Sequence, residues 1–316
     1  MNDFINIDTV YSTTRLLTKE QPLLKSNSDD KFETILFLPE GNDRKDEGGL
    51  RTKGIYKSSY EKKPLVTIIT VVFNMHEHIA TTIQSVLDQT YDNMEYLIID
   101  GGSTDGTIDI IKAYDDQIDY WVSEKDLGIY DAMNKGLRLA TGEIIGILNA
   151  DDAYINDAVE KSVQALHGSG ADYSIGKIKK IPSQRIYSPT YPLEQGKVYQ
   201  GMMYPHIGAF IKRDVYKQVG LFDTKYKISA DFDVAMRIYK KGFTEVLVPS
   251  IIGEVLEDGV SAGMRTKKEN MKIAISHGKN PLFAYNYYLV QMAKSYIIRF
   301  LPDSIVDKIH SRKNFS

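Results

Sequence analysis

No cysteine occurs among the 316 residues, which excludes disulfides, thiolate metal sites and a cysteine nucleophile. No run of 18 consecutive apolar residues is present, so no segment reads as a simple membrane span. The nearest approach, residues 281–301, carries Lys294 and Arg299. An excess of one charge is missing too. The 39 Lys+Arg and 42 Asp+Glu leave a formal charge of −3, which provides no basic field and predicts that nucleic acid is not a partner. Several compact signatures are absent: G-x-G-x-x-G, a P-loop Gly-Lys-Ser/Thr and G-x-S-x-G. The six histidines lack zinc-ligand spacing. The first residues do not read as a secretory signal, because Asp3 and Asp8 interrupt them and no apolar core follows.

What is present is a core-forming composition, 42% apolar and 26% charged. The length predicts two domains, or one large α/β domain with appendages. Residues 1–63 read as an N-terminal arm. Ile35-Leu36-Phe37-Leu38 is expected to be a strand, followed by loop from Pro39 through Gly48-Gly49. Arg51 and Lys53 are basic residues that could touch a ligand phosphate.

From Pro64 the pattern alternates between strands and helices. Leu65–Phe73 is a near-continuous apolar run, typical of a strand buried on both faces. Ile79, Ile83, Val86 and Leu87 form one helix face. Further strands are expected at Tyr96–Ile99, Tyr120–Val122 and Ile144–Leu148. Short helical patterns begin at Ile108 and Ile111, and at Tyr130, Met133, Leu137 and Ala140, the latter ended by Gly142. This alternation predicts an α/β fold, a mostly parallel central sheet flanked by helices. Beyond it, Tyr173–Lys177 and Glu245–Pro249 read as strands, Asp214–Val219 and Asp231–Lys241 as helices, and 178–205 as loop.

In such sheets ligands gather at the carboxyl ends of strands, where the polar clusters of this sequence fall. Asp151-Asp152 follows a buried strand directly. Two adjacent carboxylates repel each other, and either a divalent cation such as Mn²⁺ or Mg²⁺ or a role at a helix N-terminus would compensate. The turn Asp100-Gly101-Gly102-Ser103-Thr104-Asp105 reads either as a capped strand-to-helix connection or as a backbone-lined pocket with Asp100 in it.

Taken in order, ITVVFN (69–74), SVLDQTYDNMEYLIIDGGSTDGT (85–107), SEKDLGIYDAMNKGLRLATGEIIGILNADD (123–152) and SADFDVAMRIYKKGF (229–243) resemble the family 2 glycosyltransferases of GT-A fold, especially those that build bacterial surface polysaccharides. The likeness covers residues 64–260. It implies a catalytic domain there, with 64–152 as the nucleotide-binding half and 153–260 as the acceptor half, and a C-terminal helical extension at 261–316. It also implies metal ligation by Asp152, with Asp151 at the ribose or a metal-bound water. Val72, Asn74, Asp100, Gly102 and Ser103 would border the nucleoside, and Asn134 would face it. Asp231 would be the catalytic base and His206 would stand near the acceptor.

Two departures matter. Many members carry Asp-Asp-Gly-Ser where Asp100-Gly101-Gly102-Ser103 stands here, and Glu-Asp where Ala230-Asp231 stands, which keeps Asp233 as a rival at the acceptor. The Gln-x-x-Arg-Trp segment of processive synthases is missing, since the one tryptophan is Trp121. The resemblance thus implies an inverting, non-processive transferase that takes a nucleotide-diphosphate sugar and a saccharide acceptor, itself lipid-linked. Phe283, Tyr287, Val290 and Ile297 at near-helical spacing, with Lys294 and Arg299, would place it peripherally on the cytoplasmic face of the inner membrane. A sugar nucleotidyltransferase and a non-catalytic scaffold of an assembly complex are the alternatives at this point.

Overall fold

The computed structural model describes residues 5–6, 16–41, 43–60, 63–189, 198–256 and 263–298. A short ribbon, β1 (Ile5–Asn6) with β2 (Leu16–Leu17), precedes the main body. Its core is a sheet in the order β3-β6-β5-β4-β7-β11-β9-β12-β8, with β10 paired to β9. The four strands β4 (Val66–Val72), β5 (Met94–Asp100), β6 (Tyr120–Glu124) and β7 (Ile144–Asn149) are mutually parallel. Chain order runs outward from β4 through β5 to β6, then returns to its other side as β7. The reversal leaves a crevice between the carboxyl ends of β4 and β7, where ligands bind in open α/β sheets.

The apolar runs explain the layering. Every residue of β4 and β5 is buried, because helices cover both faces. On one face α1 (Ile79–Leu87), α2 (Thr107–Ala113) and α4 (Ala158–Ser169) pack Ile83, Ile111 and Val159 against Ile68, Tyr96 and Ile98. On the other, α3 (Ile129–Leu139), α5 (Arg213–Val219), α6 (Ala230–Lys240) and α7 (Met264–Ser276) pack Met133, Tyr216, Val234 and Ile273 into the cluster of Ile69, Leu97 and Ile145. The last helix, α8 (Pro281–Ile298), packs on α7.

The second half of the sheet is mixed in direction. After β8 (Ala153–Tyr154), β9 (Tyr173–Ile181) and β10 (Ile186–Tyr187), β11 (Ala209–Lys212) runs antiparallel to β7, with Phe210 opposite Gly146. This puts the start of β11, and the turn His206–Gly208 before it, at the carboxyl end of β7. Four residues are too few to show a strand period, so sequence reading passes over β11. β12 (Glu245–Leu256) extends beyond the expected stop at Pro249, because the strand shifts register between Val248 and Ile251 and pairing resumes.

The N-terminal arm differs from expectation. Ile35–Leu38 is not a strand: Ile35 donates its N–H to the Arg138 carbonyl at the end of α3, and Phe37 meets the edge of Tyr120. The strand in this region is β3 (Arg44–Gly48), within the stretch that reads as loop. It is polar, and ion pairs of Arg44 with Glu124 and of Asp46 with Lys112 hold it on the sheet edge, so no apolar period announces it. Arg51 and Lys53 do not reach toward a ligand. Arg51 is buried against Glu95 and the carbonyls of Leu36 and Leu139, at the amino-terminal end of β5 and so far from the strands' carboxyl ends. Lys53 pairs with Asp115 and Asp116. Such ion pairs are invisible to a local reading, since their partners lie 44 and 62 residues away.

Candidate active site

The loops after β4 and β5 are stitched together. Asp100 accepts hydrogen bonds from the Gly102 and Ser103 amides at 3.0 and 2.9 Å, from the Ser123 hydroxyl at 2.6 Å, and from the Ser103 hydroxyl. Ser103 Oγ in turn accepts the Asn74 amide at 2.7 Å, and Asn74 Oδ1 accepts the Thr104 amide at 2.9 Å. Gly102 takes φ +87° and Asn74 φ +51°, conformations that glycine and asparagine tolerate best. Asp105 accepts both the His76 amide and the Thr107 amide that opens α2. Gly101 donates its amide to the Val72 carbonyl at 2.9 Å, so Val72, Asn74, Asp100, Gly102 and Ser103 form one backbone-lined rim. The Asp100 carboxylate is spent in organising that rim.

Gly101 has a steric reason. A Cβ there would lie 2.5 Å from Oδ2 of Asp126 in the β6–α3 loop, so any side chain at this position would have to displace the Asp126 carboxylate. Burial pushes the Asp126 carboxyl upward, and Asp131 and Asp100 add to this against the Gly128 amide and Lys135. Sequence reading missed Asp126, because only the fold brings it over Gly101. Asn134 does not offer its amide outward: Nδ2 donates to the Phe222 carbonyl at 2.9 Å and Oδ1 accepts the Phe222 amide at 2.8 Å.

On the other side of the crevice stands the carboxylate pair. Thr82 of α1 donates to the carbonyls of Ala150 and Asp152, both at 2.8 Å, and so fixes the turn after β7. Asp152 is buried, and its carboxylate takes one long hydrogen bond, 3.3 Å, from Asn149 Nδ2. Burial pushes its carboxyl well up, and the Asp151 charge pushes further. Asn149 Oδ1 and His206 Nε2 are buried without a partner among the described residues. Two repelling carboxylates with the unpartnered Asn149 Oδ1 next to them suit a hard divalent cation. Among the described residues no three His, Asp or Glu side chains gather into a protein-only cage, so such an ion would be held by Asp152 with Asp151 and complete its shell with substrate oxygens and water.

His206 and Asp231 complete the site. Burial lowers the His206 imidazole against the opposing pull of Asp231 and Asp151. Burial raises the Asp231 carboxyl, against His206, its own helix's Phe232 amide and the Tyr130 hydroxyl. The helix N-terminus by itself would keep Asp231 acidic, and desolvation overrides it. Tyr130 donates to the Ile228 carbonyl at 2.6 Å and lies 3.3 Å from Asp231 Oδ1. Asp233 looks elsewhere: its oxygens meet His277 Nε2 at 2.9 Å and Arg237 Nε at 3.0 Å. Burial alone would raise it, but those two partners hold it below the usual carboxylate range.

A crevice at the sheet's switch point, a carboxylate pair after β7 and a carboxylate at the start of α6, with His206 feeling both, fit a GT-A type glycosyl-transferring enzyme. The model of Glycosyl transferase family 2 matches residues 67–241, more than half of the chain, and the chain belongs to that family. It is 31% identical over 180 residues to an uncharacterised glycosyltransferase of Mycobacterium tuberculosis, covering 55% of this chain and 68% of that one. It is 29% identical over 190 residues to the putative teichuronic acid biosynthesis glycosyltransferase TuaG of Bacillus subtilis, covering 58% and 75%. In fold it is similar to a fragment of S. aureus TarS in complex with UDP-GlcNAc, with TM-score 0.58, 14% identity and coverage of 71% and 70%. The mannosyltransferase PcManGT of Pyrobaculum calidifontis, in complex with GDP-Man and Mn²⁺, aligns with TM-score 0.54 and 20% identity over 82% and 83%. The chain covers 42% of a longer TarS structure.

Proposed function

We propose that this enzyme moves a sugar from a nucleotide-diphosphate sugar to a hydroxyl of a saccharide acceptor, inverting the anomeric carbon, one addition at a time, in polysaccharide assembly. The observation that carries it is that His206 feels both Asp151, of the carboxylate pair after β7, and Asp231 at the start of α6, which draws the two acidic groups to one site. In one displacement the acceptor oxygen bonds to the anomeric carbon as the bond to the diphosphate oxygen breaks. The acceptor proton passes to Asp231, whose raised basicity suits that task. A divalent cation held by Asp152 and Asp151 would supply charge stabilisation for the departing diphosphate. The rim from Val72 to Ser103 holds the nucleoside, and His206 borders the acceptor.

The same reading places the acceptor at a membrane surface. Among the described residues no helix is long and apolar enough to cross a membrane. Yet α8 leaves Leu282, Phe283, Tyr285, Leu289, Val290, Tyr296 and Ile297 exposed. The stretch from α7 to α8 is rich in cations: Arg265, Lys267, Lys268 and Lys272 against the one acid of α7, Glu269, with Lys279 and Lys294 following. An exposed apolar helix face in a cation-rich stretch of chain suits an anionic lipid interface, where a lipid-linked saccharide on the cytoplasmic side would be found. Arg299, expected to share in this contact, lies outside the described residues.

The test of the transfer reading is a panel of UDP- and GDP-sugars offered to the purified chain with Mn²⁺ or Mg²⁺. Release of nucleoside diphosphate from one of them is expected. Release of pyrophosphate, or binding without turnover, would overturn the reading.

A further inference from the structure

We infer that Glu269, on a helix beyond the matched family region, is the positioning residue that sets the candidate base Asp231; this rests on Asp231 acting as the base. Its carboxylate accepts three successive backbone amides: Lys227 at 2.9 Å, Ile228 at 2.9 Å and Ser229 at 3.0 Å. These residues are the entry to α6, directly ahead of Asp231. A helix start of this kind is ordinarily fixed by its own N-cap side chain. Here Ser229 makes no capping hydrogen bond, and its hydroxyl is buried without a partner among the described residues. The carboxylate from α7 instead holds the three amides that lead into the helix, up to and including that of Ser229 itself. Charge-assisted bonds to backbone amides are among the stronger hydrogen bonds, and three on one carboxylate fix the backbone of three consecutive residues.

The grip is two-sided. The Ile228 peptide gives its amide to Glu269, while its carbonyl accepts the Tyr130 hydroxyl from α3. Among the described residues Asp231 itself takes only its own helix's Phe232 amide at 2.9 Å and the longer contact to Tyr130 at 3.3 Å. Neither fixes the direction of the carboxylate without a fixed backbone beneath it. Helix α7 is in turn secured to α6. His277, at its end, meets Asp233, Lys240 donates to the His277 carbonyl at 3.0 Å, and Ile273 and Ala274 are buried. Glu269 therefore presents its carboxylate from a rigid support, as a precise constellation requires.

A positioning role and a merely structural one separate in a double-mutant cycle. The readout is release of UDP or GDP from the nucleotide sugar that the panel selects, with titration of free UDP and GDP as the measure of nucleotide binding. Glu269→Ala is expected to lower kcat by about 10²-fold, the cost of a small misplacement of a reacting group. Nucleotide affinity should stay within about twofold, since the rim lies on other loops. Glu269→Gln keeps one acceptor oxygen and should recover part of the loss; it also carries the test should the alanine variant fail to fold. In an Asp231→Asn background, Glu269→Gln should cost nothing further, because its effect passes through Asp231. An unchanged kcat in Glu269→Gln, or the same fold-loss with and without Asp231, would overturn the assignment alone. Full turnover by Asp231→Asn would overturn both this assignment and the reading of Asp231 as base.

Discussion

The Tyr130 hydroxyl joins α3 to the entry of α6: it donates to the Ile228 carbonyl at 2.6 Å and stands 3.3 Å from Oδ1 of Asp231. Asp233, two residues further, is turned to the opposite side and engaged by Arg237 and His277. One acidic pair on one helix is thus split between two environments.

That split predicts opposite phenotypes. Asp231→Asn is expected to lower turnover by about 10²-fold or more while stability and nucleotide affinity stay near those of the parent. Asp233→Asn should keep most turnover and instead lose about 1–3 kcal/mol of stability, because Arg237 and His277 lose a charged partner. Steady-state rates and urea unfolding of the two variants check this; loss of turnover in the Asp233 variant alone would move the base two residues along.

Asp152→Asn should abolish metal-stimulated turnover. In chelator it should be at least as stable as the parent, because it removes a buried carboxylate repelled by Asp151. Thermal unfolding with and without Mn²⁺ gives the measurement. Mn²⁺ is expected to raise the midpoint of the parent and leave that of the variant unmoved. Equal rises in both would remove Asp152 from the cation site.

Glu95 predicts an acid limb in stability. Burial pushes its carboxyl up, but Arg51 and the hydrogen bonds of Thr141 and Thr67 outweigh this and hold it below the ordinary carboxyl range. A carboxyl lowered by folding contributes stability that is fully present above its unfolded pKa, about 4.3, and lost as pH falls through the folded value. Urea unfolding from pH 7 to pH 3 should show the parent's advantage over Glu95→Gln shrinking below about pH 4.3. A constant difference across that window would contradict the pairing.

The exposed face of α8 predicts flotation with vesicles containing phosphatidylglycerol and little with pure phosphatidylcholine. A chain ending at Asn280 should lose this binding while its nucleotide affinity is retained. Equal flotation of the two chains would remove α8 from the interface.

The alternation of buried strands and amphipathic helices from Pro64 to Asp152 was legible because each element carries its own period, and the carboxylates Asp100, Asp151 and Asp152 could be placed at strand ends by counting. The ordered motifs were enough to point to the family. The polar edge strand β3, the short β11 and the buried pairing of Arg51 with Glu95 were not legible, because each depends on a partner distant in the chain. The same holds for the site's finer assignments. Asp231 and Asp233 are equivalent acids by local pattern, and only packing against Tyr130 on one side and α7 on the other makes them different. Asp126 over Gly101 and Glu269 under the start of α6 carry no local signature at all. Sequence by itself determined where charge and apolar surface lie along the chain. Which carboxylate is desolvated, which is paired and which holds backbone amides was decided by tertiary structure, since dielectric and hydrogen-bond partners are properties of the fold and not of a segment.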